Sequence, residues 1–334
     1  MIPNFVIAGR LSRDYILPLS GHALIDVPGG NLLYAASGLG VWEKSVGLLG
    51  RVGEDYPHEW LKLLEKHGWD RGGIRILTEP LDLRHFEAWL SLQDVQYANP
   101  VAHFARLNLP FPKLLFNYQP PSGVDDDRKT LQPASPRPAD IPPNYLNTHA
   151  AHFCPLDYGT TGRLLPIFRQ AGVTALTLDP SAAFMNSAAF EDVRALVHGL
   201  TTFLPSEEEI RTLFWGRTDD LWQMAEALGS FGCEFVVVKR GARGQLVYDS
   251  ASKKRWEVPA YPARLANLTG AGDAFCGGFL AGYQKTYDPL RAALYGSVSA
   301  SLTVEGSGAF HALEALPGLA QARLDSMAES VRQV

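Results

Sequence analysis

The sequence has little of what several classes of protein require. Its three cysteines, Cys154, Cys233 and Cys276, are isolated, odd in number and without the spacing of metal ligands. We expect them to be buried thiols in a reducing compartment. No apolar run is long enough to cross a bilayer, and the first residues lack the charged start and apolar core of a signal peptide. These absences favour a cytoplasmic protein with no membrane partner.

Positive charge is not in excess either. The chain has 30 Lys and Arg against 35 Asp and Glu, a net charge of -5, which argues against a general nucleic-acid binder. Residues 10–17, which follow a predicted strand at 5–9, lack the GxGxxG turn of a dinucleotide-binding unit. A Rossmann dehydrogenase is therefore disfavoured.

What the sequence does contain is a regular alternation of strand and helix patterns. With 46% hydrophobic and 19% charged residues, its 334 residues can bury a large core. We predict strands at 5–9, 45–52, 74–77, 149–154, 174–179 and 234–239, and helices at 32–39, 56–67, 162–171 and 288–303. Such alternation predicts a parallel sheet with helices on both faces. Residues 86–92 fit either a strand or a short helix.

The segment NLTGAGDAFCGGF, residues 267–279, carries the strongest chemical signal. Its apolar spacing predicts a helix that starts near Ala271, and helix N-termini bind anions through free N–H groups. Gly270 and Gly272 permit positive φ and close approach of a phosphate. Asp273 is then a fixed carboxylate beside an anion site, suited to accept a hydroxyl proton while the N–H groups stabilise a phosphoryl group. The alternative is a shaped turn with a helix cap.

Two more glycines follow inside the predicted helix. Gly277 and Gly278 each cost about 1 kcal/mol relative to alanine in a helix. We therefore expect close packing of this helix on a strand or on a ligand.

The longer motif TGAGDAFCGGFLAGY, residues 269–283, closely resembles the C-terminal signature of the ribokinase/PfkB family of carbohydrate and nucleoside kinases. The resemblance implies an α/β chain with a three-layer αβα ribokinase-like fold, a mostly parallel central sheet and a small β lid. It also implies ATP-dependent phosphorylation of a hydroxyl on a sugar or similar polyol, with ATP and Mg2+. In that interpretation Asp273 is the base, the N–H groups of Ala271, Gly272 and Asp273 form the anion hole, and Gly270 belongs to the same catalytic turn.

The resemblance also divides the chain into regions. It implies one kinase domain over residues 1–334, with lid elements near 14–28 and 82–118. Residues 118–145 are rich in proline and are expected to form an inserted irregular loop. The acidic run at 125–127 within that loop favours a solvated surface over a metal site.

On the acceptor side, the resemblance points to Asp14 and to the turn Gly29-Gly30-Asn31. Asp14 follows the first predicted strand, where open α/β sheets bind ligands, and a carboxylate accepts two substrate hydrogen bonds. The alternative is a turn aspartate that pairs with a neighbouring arginine. Tyr34 stands where many family members carry asparagine, so an aromatic face replaces part of the usual hydroxyl-binding set.

The segment Ser206-Glu-Glu-Glu209 has two compatible interpretations. Ser206 at the N-cap and Glu209 three residues later form a capping box. The family has Asn-x-x-Glu here, and its glutamate organises Mg2+ and water near the nucleotide. Glu209 would then act on Mg2+ through water, which suits an ion that keeps several waters.

The remaining nucleotide-binding candidates lie in two segments. Gly241 and Gly244 match the Gly-x-x-Gly turn that the family places beside the nucleotide, and Lys239 either reaches a phosphate or lies on the surface. Thr269 and Asn267 belong to the surroundings of the anion hole. Because the family commonly has aspartate at position 267, potassium activation is doubtful.

Three questions stay open at this level. The acceptor is a sugar or a nucleoside, and in the second case Tyr34 and lid aromatics would stack on a base. A non-catalytic ligand sensor is a further alternative, motivated by the departures at 34, 206 and 267. The lid candidates Arg84, His85, Glu87 and Tyr97 face either the substrate or solvent, and a homodimer through the lid is left open.

Overall fold

Two β-sheets organise the molecule in the computed structural model, which describes residues 2–120, 126 and 128–334. In this part of the chain, ten strands form the main sheet in the order β14-β13-β12-β11-β10-β9-β8-β1-β4-β5. Their bounds are β1 Phe5–Ala8, β4 Val46–Val52, β5 Asp70–Ile76, β8 Ala150–Phe153, β9 Ala175–Leu178, β10 Thr202–Phe203, β11 Phe235–Lys239, β12 Gln245–Asp249, β13 Arg255–Val258 and β14 Arg332–Gln333. All neighbours from β5 to β11 pair in parallel, and the last three pairings are antiparallel.

Helices cover both faces of this sheet. One face packs against α1 Asn31–Gly40, α2 His58–Lys66, α8 Ala271–Thr286, α9 Pro289–Val304 and α10 Leu319–Ser326. The other packs against α4 Tyr158–Gln170, α5 Phe190–Val197, α6 Glu207–Leu213 and α7 Leu221–Ser230. Short fully buried strands between two apolar layers are typical of parallel sheets. The predicted three-layer αβα architecture is confirmed.

A small second sheet forms the lid. Its order is β3-β2-β6-β7, with bounds β2 Ser12–Leu17, β3 Leu24–Gly29, β6 Arg84–Ser91 and β7 Asp94–Gln96. One face of this sheet packs with α3, Pro100–Arg106, around a core of Tyr15, Phe86 and Phe104. The segment that fitted either a strand or a helix is therefore the lid strand β6.

Several local predictions hold, and some need correction. The three cysteines are buried free thiols. The helix expected at 162–171 begins earlier, at Tyr158, because Asp157 caps it by accepting from the Thr160 N–H. Among the described helices, none has the length and apolar character needed to span a bilayer.

The proline-rich stretch is irregular where it is described. It contains two short 3-10 turns, at Pro138–Asp140 and Pro143–Asn147. Asp125 and Asp127 of the acidic run lie outside the described residues. Asp126 is half-buried, not fully solvated, and its carboxylate accepts from the Tyr158 N–H at 2.5 Å at the start of α4.

Glycines let α8 approach its neighbouring helices closely. A Cβ at Gly277 would lie 1.9 Å from the Ala35 carbonyl oxygen of α1, and one at Gly278 would lie 2.4 Å from the Ser299 hydroxyl of α9. The expectation that these glycines pack on a strand or a ligand is therefore wrong. They bring three helices together, which fixes the start of α8 relative to the start of α1.

We predict that Gly277→Ala lowers the free energy of unfolding by about 1–3 kcal/mol, the usual cost of overpacking a core. The added methyl group collides with backbone that cannot rotate away. Gly162→Ala is the matched control, because a Cβ there meets only Leu196 at 3.8 Å. That variant should be neutral or more stable by up to about 1 kcal/mol. Urea unfolding measures both, and equal effects would contradict the close helix contact.

Candidate active site

The candidate site lies where the main sheet reverses its strand order. The chain runs from β1 to β4 and β5 on one side, and later adds β8, β9 and β10 on the other side of β1. Open α/β sheets bind ligands in the crevice at the carboxyl ends of such strands. The lid sheet leaves this same edge, since β2 begins four residues after β1 ends.

The turn before α8 forms one wall of the crevice. Gly270 takes a left-handed conformation, with φ 75°, and α8 begins at Ala271 as expected. The Ala271 N–H was expected in the anion hole, but it donates to the Leu268 carbonyl at 3.2 Å and is not free to bind an anion. Within the described residues, the N–H groups of Gly272 and Asp273 have no protein acceptor. Gly272 is helical, so the expected positive φ occurs at Gly270 alone.

Asp273 lies in the first turn of α8, half-exposed at the bottom of the crevice. Burial among protein atoms, together with the nearby Asp179 carboxylate, raises the pKa of Asp273 to about 7, although Lys239 acts in the opposite direction. A carboxylate with this pKa can exchange a proton near neutral pH. It is the only group of α8's first turn that can act as a base.

A buried ion pair lies beneath that turn. The Lys239 ammonium donates to the Asp179 carboxylate at 2.5 Å, and the side chains are only 14% and 4% exposed. The same ammonium lies 3.6 Å from the Cys276 sulfur, and a Cβ at Gly272 would lie 3.7 Å from it. The surface position considered for Lys239 is therefore wrong. Its charge lies next to the free N–H groups of α8.

Glu209 lies near enough to this pair for both of its charges to act on the Glu209 carboxylate. The capping box is present as predicted: Ser206 Oγ accepts from the Glu209 N–H at 3.2 Å, and the Glu209 carboxylate accepts from the Ser206 N–H at 2.7 Å. Burial and the Asp179 charge raise the pKa of Glu209 to about 7. The charge of one ammonium, Lys239, thus acts on three carboxylates, at 179, 209 and 273, of which Asp179 pairs with it directly.

Asp14 lies on the lid side of the crevice, in β2, and is 1% exposed. Its carboxylate accepts from Ser12 Oγ and from the Gly30 N–H, and a Cβ at Gly29 would lie 1.8 Å from it. Burial raises the pKa of Asp14 to about 6. The structure therefore brings together Asp14 and the Gly29-Gly30 turn, the two parts that were predicted to hold the acceptor.

Glu87 of β6 connects the lid to the α8 turn. Its carboxylate accepts from Thr269 Oγ1 at 2.5 Å and contacts His85 Nε2 at 2.8 Å. Burial alone would raise the pKa of Glu87, but its hydrogen bonds from His85 and Thr269 lower it. Asn267 supports the same turn, because its Oδ1 accepts from the Thr269 N–H at 3.1 Å.

The other predicted site residues have distinct surroundings. The Asn31 side chain accepts from the Arg10 N–H at 2.7 Å and donates to the Pro155 carbonyl at 2.8 Å, so it joins the loops after β1 and β8. No described atom lies within 4 Å of a Cβ built on Gly241, whereas one on Gly244 would lie 2.1 Å from the Val258 carbonyl. Space for a ligand is therefore open at Gly241 and closed at Gly244.

An open cavity of about 520 Å³ lies beside Lys239. It is lined by Ser206, Glu207, Glu208, Arg211, Thr212, Trp215, Lys239, Arg240 and Arg243. Polar and cationic side chains of this kind suit a phosphorylated ligand.

Sequence reasoning missed two charged residues. Asp179 directly follows β9, and the strand-end argument applied to Asp14 would also have found it. Arg10 follows β1, is exposed in the crevice, and its guanidinium has no hydrogen-bond partner among the described residues. The protein atoms around its guanidinium displace part of its water, which lowers the pKa of Arg10 against the opposing charges of Asp157 and Asp273. The same strand-end argument applies to Arg10, which directly follows the strand predicted at 5–9.

Comparison with known proteins shows which family this chain resembles. Residues 159–316 match the pfkB family carbohydrate kinases. A cytidine kinase of Thermococcus kodakarensis is 27% identical over 282 residues, which cover 84% of this chain and 89% of the relative. Over these residues the chain is similar to the PfkB family. It is a phosphotransferase, a nucleoside or sugar kinase.

Solved structures agree on the fold of this kinase. A ribokinase II of E. coli, in complex with ATP and Mg2+, superposes with a TM-score of 0.69 at 17% identity and covers 98% of this chain and 100% of its own. The nucleoside kinase of Methanocaldococcus jannaschii gives 0.67 at 18% identity, covering 97% and 98%. At these identities the likeness establishes the ribokinase-like fold alone.

We predict that Lys239→Met lowers the free energy of unfolding by about 3–5 kcal/mol, because it leaves the Asp179 carboxylate buried and unpaired. Arg71→Met is the matched control. Arg71 pairs with Glu65 at the same 2.5 Å, but these side chains are 40% and 52% exposed, so its loss should cost under about 1 kcal/mol. Urea unfolding at pH 8 compares them. Equal losses would show that the Lys239 pair is effectively solvated.

Proposed function

We propose that this kinase transfers the γ-phosphoryl group of ATP to a hydroxyl of a nucleoside or sugar, with Asp273 as the general base. The observation that supports this most directly is the placement of the Asp273 carboxylate beside two N–H groups, its own and that of Gly272, without protein acceptors. A base and an anion site in one helical turn can handle a hydroxyl and a phosphoryl group together.

In this mechanism the acceptor hydroxyl lies between Asp273 and the γ-phosphoryl group. Asp273 accepts the hydroxyl proton as the bond from the acceptor oxygen to the γ-phosphorus forms and the bond from that phosphorus to the β–γ bridging oxygen breaks, which releases ADP. The N–H groups of Gly272 and Asp273 and the positive end of α8 stabilise the transferred group, while Gly270 and Ala271 shape the turn. Because the phosphoryl transition state is loose, the position of Asp273 matters more than its basicity.

The nucleotide would occupy the side of the crevice that carries the open cavity. Lys239 lies close enough to the α8 turn to neutralise phosphate charge, and the open space at Gly241 admits the nucleotide. Gly244 holds the turn against β13. Thr269 and Asn267 would hold the anion-hole turn in place and not contact the nucleotide, since both are hydrogen bonded within the protein.

The residues present fit Mg2+ held mainly by phosphates and water. In the described chain, no three His, Cys, Asp or Glu side chains are grouped closely enough to hold a metal by themselves. Glu209 and the buried Asp179 Oδ1, which lacks a hydrogen-bond partner there, supply the oxygen atoms that this ion prefers. Glu209 would orient its water shell. When bound, the ion would neutralise charge on the β- and γ-phosphates.

On the acceptor side, Asp14 and the Gly29-Gly30 turn would bind hydroxyl groups, with Asn31 holding that turn in place. A nucleoside is favoured as the acceptor, because the T. kodakarensis relative that spans most of the chain is a cytidine kinase. The lid also offers Tyr97, which is 43% exposed and contacts the His85 ring. Sugars remain the second class, and a non-catalytic sensor is disfavoured because Asp273 and both turn glycines, Gly270 and Gly272, are present.

We predict that Asp273→Asn lowers kcat about 100- to 10,000-fold, the usual contribution of a positioned general base. ADP release is measured with Mg-ATP across nucleosides, sugars and sugar acids. Asp220→Asn is the control, because Asp220 also lies at the start of a helix, as the N-cap of α7, but outside the crevice. It should keep wild-type activity. A wild type that binds acceptors without forming ADP would instead support the sensor alternative.

A further inference from the structure

Tyr34 presents a buried hydroxyl that the proposed mechanism does not use. The side chain is 3% exposed, and its hydroxyl has no hydrogen-bond partner in the described part of the chain. A buried donor of this kind is costly when it stays unpaired, and such groups are rare in folded proteins. This hydroxyl is therefore a candidate for a partner that the protein itself does not supply.

The position of Tyr34 places it between the two halves of the crevice. It lies in the first turn of α1, four residues after Gly30, and its N–H donates to the Gly30 carbonyl at 3.2 Å. Its ring packs against the turn before α8, since a Cβ at Gly270 would lie 2.0 Å from Tyr34 Cδ1. Tyr34 thus touches both the turn proposed for the acceptor and the turn proposed for the phosphoryl group.

The charges of three acidic side chains, from three different elements, act on the phenol. Burial, followed by the charges of Asp14, Glu87 and Asp273, raises the pKa of Tyr34 well above its usual range. The phenol therefore keeps its proton and can donate. The carboxylates of Asp14 and Glu87 already accept hydrogen bonds from Ser12, Thr269 and Trp89.

We propose that the Tyr34 hydroxyl donates a hydrogen bond to an acceptor oxygen next to the phosphorylated hydroxyl and so selects acceptors that carry vicinal oxygens, such as a ribose ring. This inference rests on the proposed function, because it places the acceptor between Asp14 and Asp273. A site built to pair with a substrate oxygen strongly rejects an analogue that lacks it, since the buried group is then left unpaired. Tyr34 is thus a specificity-determining residue.

Calorimetric binding without nucleotide tests this inference separately from catalysis. The probes are cytidine, D-ribose, 2'-deoxycytidine and 3'-deoxycytidine, each titrated into wild type and Tyr34→Phe. We expect Tyr34→Phe to weaken binding of the best ligand about tenfold or more. One deoxy analogue should bind wild type and variant equally, because the oxygen that pairs with Tyr34 is already absent.

Tyr145→Phe is the matched control. Tyr145 is equally buried, but its hydroxyl donates to the Asp70 carbonyl at 2.8 Å and accepts from the Gly73 N–H at 3.3 Å. Its loss should lower Tm and leave ligand binding unchanged. Tyr34→Phe should not lower Tm, because no protein partner is lost. A lowered Tm with unchanged binding would show that the Tyr34 hydroxyl is structural and would overturn the inference.

The remaining outcomes are also decisive. If Tyr34→Phe weakens the binding of all four probes equally, Tyr34 affects the fit of any ligand. That result would overturn the proposed hydrogen bond to one particular oxygen. If no probe binds wild type, the acceptor class and the role of Tyr34 fail together. A last outcome is that Tyr34→Phe weakens binding of the best ligand but not of one deoxy analogue, while wild type forms no ADP. The inference about Tyr34 then stands and the proposed kinase reaction fails.

Discussion

The site depends on a concentration of charge that the fold holds under the first turn of one helix. The carboxylates at 179, 209 and 273 would repel one another strongly in a partly buried crevice, and one buried ammonium, Lys239, lies among them. The positive end of α8 adds to this balance. A bound polyphosphate and its metal ion would bring further charges of both signs to the same place. The arrangement therefore favours a ligand that carries negative charge together with a bound cation.

Three separate parts of the chain hold this cluster in place. The ends of β9 and β11 supply the ion pair, and the capping box at the start of α6 fixes Glu209. The glycine contacts between α1 and α8 fix the position of the turn before α8. The lid is joined to the same turn through the Glu87–Thr269 hydrogen bond. A change of lid position would therefore act directly on the turn that carries Asp273.

The sequence predicted those features that local patterns encode. The turn at Gly270, the helix from Ala271 and the Ser206–Glu209 capping box each lie within a few residues, so spacing was sufficient. Contacts between segments that are distant in the sequence could not be predicted from these local patterns. The Glu87–Thr269 bond joins residues 182 positions apart, and the Lys239–Asp179 pair joins residues 60 apart. Gly277 was recognised as unusual, but its contact with another helix required the tertiary structure.

The most direct test of the central claim is a crystal structure with Mg-ADP, aluminium fluoride and an acceptor, because the planar fluoride group mimics the transferred phosphoryl group. We predict fluorine atoms 2.7–3.1 Å from the backbone nitrogens of Gly272 and Asp273, the range for a preorganised anion hole. The Asp273 carboxylate should contact the acceptor oxygen. A fluoride group bound elsewhere in the crevice, with no contact to the first turn of α8, would contradict the account.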